Sequence, residues 1–201
     1  MSRTVTRLVV SCRKSFPTAH EPLRGGPETD EPTPPMTPVT AEEFRKAMRC
    51  YPGAVSIVAT HDCGQPAGMT VTATCSLTAD PPMLLACINR SATSHEPVQR
   101  AGRFTVNLLS AEDVEIAKHF SVARMSERFQ VGDWNRLRGG GLALGSACAT
   151  FDCRLVADIP FSTHSIFIGA VEDLIVRAER SPLVYIDGRY GRVDADPEPG
   201  S

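Results

Sequence analysis

From Gly53 onward the chain is divided into short segments rich in strand-forming residues, each bounded by turn residues. That rhythm constrains the fold more than any other feature. The segments are "AVSIVAT" (54–60), "GMTVTATCSLTADPP" (68–82), "PMLLACIN" (82–89), "RFTVNLL" (103–109), "ATFDCRLVADI" (149–159), "HSIFIGAVEDLIVR" (164–177) and "PLVYIDGRYGRV" (182–193). Asp187-Gly188 in the last is a favoured tight hairpin turn. Helices are few and do not alternate strictly with the strands. One is expected after Thr40, with Glu43 completing a capping box and Phe44, Ala47 and Met48 marking one face, stopped by Pro52-Gly53. A second is expected between Ser94 and Arg100, ended by Gly102. A third starts at Ser110, with Asp113 in the capping position and Val114, Ala117 and Phe120 facing inward. "ERFQVGDWNRLRGGG" reads as loop, and "GGGLALG" as a turn into the next strand. Many strands, short turns and peripheral helices predict a mainly β, antiparallel barrel.

The segment 68–82 carries a puzzle. Thr70, Thr72, Thr74, Ser76 and Thr78 alternate with Met69, Val71, Ala73, Cys75 and Leu77. A period of two marks a strand with one face in a core. The other face would then be lined by neutral hydroxyls. Threonine suits any exposed strand, so the row is compatible with plain surface. It is equally what a site for a flat polar heterocycle or a phosphate needs, since short donors and acceptors leave room for the ligand.

The rest of the composition mostly excludes. A formal charge of −2 gives no reason to expect nucleic acid. No apolar run reaches the roughly 18 residues of a membrane helix. Seven cysteines (12, 50, 63, 75, 87, 148 and 153) are odd in number and scattered, which argues for free thiols in a reducing cytoplasm. Cys148, Cys153 and His164 do not have zinc-ligand spacing, and Cys153 alternates with Phe151 and Leu155 as a core residue would; no metal site is expected. "GGGLALG" does not fit G-x-G-x-x-G, and no hydrolase, zinc-protease or Walker A signature occurs. Residues 1–20 hold Arg3, Arg7, Arg13 and Lys14 and no acid, and residues 17–38 hold seven prolines. Residues 1–38 are therefore expected to be a disordered leader, with Met36 an alternative start. Residues 39–193 form the domain, and 194–201 an acidic frayed tail.

"GMTVTATCSLTADPP" followed by "LLACINRSATS" resembles the flavin reductase family that supplies reduced flavin to two-component monooxygenases. The likeness continues in order through "GRFTVNLLSAED", "HFS", "RF", "THSIFIGAVED" and "PLVYIDGRYGRV", from about Glu42 to Val193. The resemblance implies an antiparallel split β-barrel of Greek-key type. It also implies a homodimer, bound FMN or FAD, and NADH or NADPH as hydride donor. Met69, Thr70, Val71, Thr72, Ala73 and Thr74 then match the segment beside the flavin ring and its ribityl chain. Asn89, Arg90, Ser91, Ala92 and Thr93 match the turn that holds the ring edge and the phosphate, with a helix N-terminus just downstream. His164 matches the position near which nicotinamide stacks, and Tyr190 approaches from the final hairpin. Ser162-Thr163 departs from the Gly-Asp common in the family, which bears on the geometry of that loop. Hydride transfer demands stacking and water exclusion more than a strong acid or base, in keeping with the lack of paired catalytic carboxylates. A partner monooxygenase is implied. Two other readings stay open: a flavin-binding electron-transfer or sensor protein without NAD(P)H turnover, and a related barrel for another ligand such as haem.

Overall fold

The structure is a computed structural model that describes residues 38–193. The leader and tail expected over 1–38 and 194–201, with Cys12 and Met36, lie outside the described residues apart from Pro38. Order begins with the expected capping box. The Glu43 amide donates to Thr40 Oγ1 at 3.2 Å, and the Thr40 amide donates to Glu43 Oε2 at 2.9 Å. Helix α1 (Ala41–Met48) follows, but its marked face is not packed: Phe44 is 59% exposed and Met48 46%.

The strands are β1 (Gly53–Ala54), β2 (Ser56–Asp62), β3 (Gln65–Val71), β4 (Thr74–Ala79), β5 (Pro82–Asn89), β6 (Arg103–Leu108), β7 (Trp134–Arg136), β8 (Leu142–Leu144), β9 (Ala149–Phe161), β10 (His164–Val176), β11 (Leu183–Ile186) and β12 (Arg189–Arg192). The helices after α1 are α2 (His95–Ala101), α3 (Val114–Val122) and α4 (Met125–Arg128). Seven strands form one antiparallel sheet in the order β3-β2-β6-β9-β10-β5-β4. Its edge strands, β3 and β4, are consecutive in the chain and joined only by Thr72 and Ala73. A flat sheet of seven strands would hold its edges about 29 Å apart at the usual interstrand spacing. The link from Val71 to Thr74 spans at most about 11 Å. The sheet is therefore curled until its two edges approach at this corner.

Inside the curl, Val58, Ala86, Ile88, Phe104, Cys153 and Phe167 form one core. Ile57, Val55, Leu109, Phe120, Leu144 and Leu183 form a second. Adjacent residues Ile57 and Val58 belong to different cores, so both faces of β2 are covered. That is why "AVSIVAT" is a continuous apolar run instead of an alternating one. Two regular features of the sequence recur as expected. Gly102 ends α2 in the left-handed region at φ 62°. Asp187 (φ 49°) and Gly188 (φ 78°) make the tight turn between β11 and β12.

Two expectations change. The span 127–141 read as loop holds the end of α4 and strand β7, and "GGGLALG", read as a turn, holds β8; the two strands form a hairpin with Gly139–Gly141 in its turn, where the Leu137 amide donates to the Gly141 carbonyl at 2.8 Å. Strands of three residues are too short to show a period. Trp134 stacks on Phe120 and Phe129 at 5.6 and 4.9 Å, so tertiary contacts hold the hairpin. The run 68–82 is also not one strand but two, on opposite edges of the sheet.

Candidate active site

The corner at Thr72–Ala73 resolves the hydroxyl row into three parts. In β3, Val71 is buried and Met69 packs against the inner core, while Thr70 Oγ1 donates to the α3 carbonyl of Ala117 at 3.2 Å. Thr72 is exposed and lies against Gly53, where an added Cβ would come within 2.9 Å of the Thr72 Cβ. In β4 the sides are exchanged. Thr74 and Ser76 pair with the buried Ala86 and Leu84, which sets their hydroxyls on the inner side of the strand; Thr74 is half-buried there, Ser76 stays exposed at the cavity mouth, and Cys75 and Leu77 are exposed. Thr74, Ser76 and Thr78 line a cavity of about 430 Å³ with Met83, Phe151 and Val171. A two-residue corner between sheet edges thus switches which half of an alternating sequence is interior.

The predicted residues that converge do so at the other end of β5. The Ala73 carbonyl accepts the Cys87 amide at 2.9 Å, two residues before Asn89. Asn89 is paired in register with His164, the first residue of β10. The Asn89 side chain organises the following turn: its Oδ1 accepts the Ser91 amide at 2.9 Å and the Ser91 hydroxyl at 2.8 Å. Ala92 closes the turn by donating to the Asn89 carbonyl at 3.0 Å. The Arg90 amide donates to the Thr163 carbonyl at 2.9 Å, and its guanidinium reaches the Ser162 carbonyl at 3.4 Å. These bonds tie the Asn89–Thr93 turn to the β9–β10 turn. Ser162 adopts φ 53°, the conformation glycine takes most freely, so the hairpin forms without the family's Gly. His164 is exposed, with Nδ1 2.9 Å from the Thr163 hydroxyl.

Thr72, Ala73, Asn89, Arg90, Ser91, Thr93 and His164 therefore border one open edge. Met69, Thr70 and Val71 support it from within. Tyr190 does not join it; its ring stacks on Tyr185 at 5.1 Å and packs against the second core. The buried Ser94 hydroxyl donates to the Gly68 carbonyl at 2.8 Å, so the N-terminus of α2 carries no side-chain cap. Partial burial, with Cys75 nearby, pushes the Cys87 thiol up, and Cys153 deep in the core is pushed up to about 12 by burial. Among the described residues no group of three or more potential metal ligands occurs.

Sequence reasoning missed a second cluster beside this edge. His95 Nε2 lies 2.9 Å from Ser165 Oγ, and the His95 ring packs on Phe167 at 5.0 Å. Asp158, Gln99, Arg90 and Ser91 join them around a cavity of about 520 Å³. No local motif marks these residues; only the pairing of β10 with β9 and with β5 gathers them.

A flavin offers a flat apolar ring edged by amide and carbonyl groups, and a phosphate. The open edge matches both demands. Ala73 leaves room beside the sheet, while exposed Thr72, Ser91, Thr93 and Arg90 supply hydroxyls and a cation without crowding it.

Comparison with known proteins gives the same direction. Residues 48–194 match the model of the flavin reductase like domain. An NADH-dependent FMN reductase, RutF, of Methylorubrum populi is 37% identical over 170 residues, covering 84% of each chain. The reductase component of an FADH(2)-dependent resorcinol hydroxylase from Rhizobium is 36% identical over 152 residues, covering 74% of this chain and 85% of that one. Among solved structures, the NADH:FAD oxidoreductase of Streptomyces globisporus, in complex with NAD and FAD fragments, superposes with a TM-score of 0.72. It is 25% identical, and the match covers 77% of this chain and 93% of that one.

Proposed function

Because this chain belongs to the flavin reductase family, we propose that it is an NADH-dependent flavin reductase acting through the Asn89–His164 edge. When bound there, FMN or FAD accepts a hydride from the reduced nicotinamide, NADH or NADPH. The protein's own contribution is placement. Thr72 and Ala73 run beside the ring, and the Asn89–Thr93 turn holds the phosphate through Ser91, Thr93 and Arg90. His164 positions the nicotinamide at the rim. No proton need be moved by a strong acid or base, and none is positioned on this edge.

The observation that carries the reading is the register. It sets His164 opposite Asn89 and the Ala73 carbonyl on the Cys87 amide, so segments about 70 residues apart in sequence form one rim. The fold that does this is a split barrel, supported by the two-residue corner between its edges. A second copy of the chain completes the site. The exposed Ile159 and Phe161 (46% and 77%), next to His164 in the β9–β10 register, give it an apolar surface to cover. Reduced flavin then passes to a monooxygenase component, as in the two-component systems of the relatives. The six described cysteines are all free, in keeping with a reducing cytoplasm. No helix among the described residues is long and apolar enough to cross a membrane.

The test is direct. Purified protein, NADH and excess FMN are mixed and absorbance at the nicotinamide band is followed, with NADPH and FAD as parallel arms. Oxidation far above the protein-free rate is expected. Flavin binding without turnover in every arm would instead identify an electron carrier or sensor.

A further inference from the structure

The backbone on either side of the His164 ring is held, whereas the ring itself is not packed. Ser162 and Thr163 join β9 to β10, and His164 pairs with Phe161 across that turn and with Asn89 of β5 on its other side. The Thr163 carbonyl accepts the Arg90 amide at 2.9 Å, and the Ser162 carbonyl accepts from the Arg90 guanidinium at 3.4 Å. The imidazole is exposed. Among the described residues its one hydrogen bond joins Nδ1 to the Thr163 hydroxyl at 2.9 Å. Its orientation and its tautomer therefore depend on a single neighbouring side chain.

The chemistry of that neighbour matters. A neutral imidazole has one donor and one acceptor nitrogen, and the partner of the first sets the role of the second. A carboxylate or a carbonyl at Nδ1 only accepts, which places the proton on Nδ1 and leaves Nε2 an acceptor. A hydroxyl can donate instead. The Thr163 hydroxyl has no acceptor other than Nδ1 among the described residues, so its proton is used there. Threonine is also stiff at χ1, and here its backbone is anchored to Arg90, so the hydroxyl has few other places to point. We propose that Thr163 is a positioning residue that acts through His164: its hydroxyl donates to Nδ1, and Nε2–H is left at the rim as the donor to the carboxamide oxygen of the nicotinamide. This rests on the reductase reading, with His164 beside the nicotinamide.

The experiment uses the full chain and two variants, Thr163→Val, which keeps the shape and loses the hydroxyl, and Thr163→Ser, which keeps the hydroxyl. Each is made with His164 present and in the His164→Ala background, and thermal unfolding verifies that all are folded. With NADH and FMN, Thr163→Val should lower kcat/KM for NADH about fivefold while FMN affinity, read by fluorescence quenching, stays within about twofold. Thr163→Ser should restore kcat/KM to within about twofold. In the His164→Ala background, Thr163→Val should change kcat/KM by less than about twofold, because no ring remains to be positioned. No effect of Thr163→Val, or the same effect with and without His164, overturns the proposal. A second readout needs no turnover. Nitrogen-15 correlation spectra of the imidazole at mildly alkaline pH, with the His164 signal identified by its loss in His164→Ala, should show the proton on Nε2. A proton on Nδ1 in the wild type overturns the proposal equally. Were NADH not oxidised at all, the reductase reading would fall, and the tautomer would still be judged from these spectra.

Discussion

Asn107 and Asp158 are both polar side chains set into the same curled sheet, yet their surroundings differ completely. Asn107 is fully buried, and every hydrogen-bonding position is used. Its Nδ2, with two hydrogens, one of them shared, donates among the carbonyls of Ile57 (3.3 Å) and Leu142 (3.1 Å) and Thr105 Oγ1 (3.0 Å). Its Oδ1 accepts from the Leu144 amide and the Thr150 hydroxyl, both at 2.9 Å. Those bonds pin the β7–β8 hairpin to the sheet. Asp158, in contrast, has one oxygen unmatched and a cavity beside it. A saturated polar network holds structure together, and an unsaturated one beside a cavity is where a ligand has something to add.

The contrast can be broken most easily at Asn107. Asn107→Leu strands the Leu144 amide and the Thr150 hydroxyl, and should lower unfolding stability by about 3 kcal/mol in urea titrations. A loss below about 1 kcal/mol would mean that the network is dispensable. Next in size is an effect on turnover instead of folding. His164→Ala should cut kcat about tenfold or more while flavin affinity stays within about twofold, because His164 is exposed and contributes little to packing. Equal losses in both would place His164 on the flavin and not at the nicotinamide. Thr150→Val removes only one of the two donors to Asn107 Oδ1, and a cost of about 1 kcal/mol is expected. The ligand-site member of the pair should be almost silent in the same assay. Asp158→Asn is expected to change unfolding stability by less than about 0.5 kcal/mol, since its unmatched oxygen holds no protein group.

Asp152 sharpens the comparison from a third angle. Burial pushes its carboxyl up, and Arg103 beside it opposes the rise without cancelling it. The native state therefore binds this proton at higher pH than the unfolded chain does. In the window between the ordinary aspartate value and the raised one, acidification favours the native state at this group. Relative to Asp152→Asn, the wild type should gain stability as pH falls through that window. Urea midpoints of both proteins at neutral and mildly acidic pH measure the difference, and a relative loss on acidification would show that the Arg103 ion pair dominates burial.

Much of the site was legible in the chain, for reasons that can be named. "PMLLACIN" is strand β5 to the residue, because a short apolar run bounded by Pro82 and Asn89 marks a packed strand without any need for alternation. The Ser110 amide and hydroxyl both donate to Asp113 Oδ2, at 2.8 and 2.9 Å, and Ala117 and Phe120 are buried. The hydroxyl row misled in one respect. Alternation was read through Thr72–Ala73 as though the strand were continuous, and a corner there exchanges interior and exterior. His95, Ser165 and Asp158 left no signal at all, since a buried histidine or aspartate has no fixed spacing to its partners.

By itself the sequence determined most of the longer strands, where α1 starts and α2 stops, and where the Asp187-Gly188 turn falls. Each depends on residues within a few positions of one another, acting through backbone conformation and local hydrogen bonds. Only the tertiary structure decided which edges of the sheet meet, which hydroxyls face inward, and that Asn89, His164 and Asp158 gather at one end. Those outcomes are set by pairing between distant strands, and their energetics lie in contacts that no short stretch of chain contains.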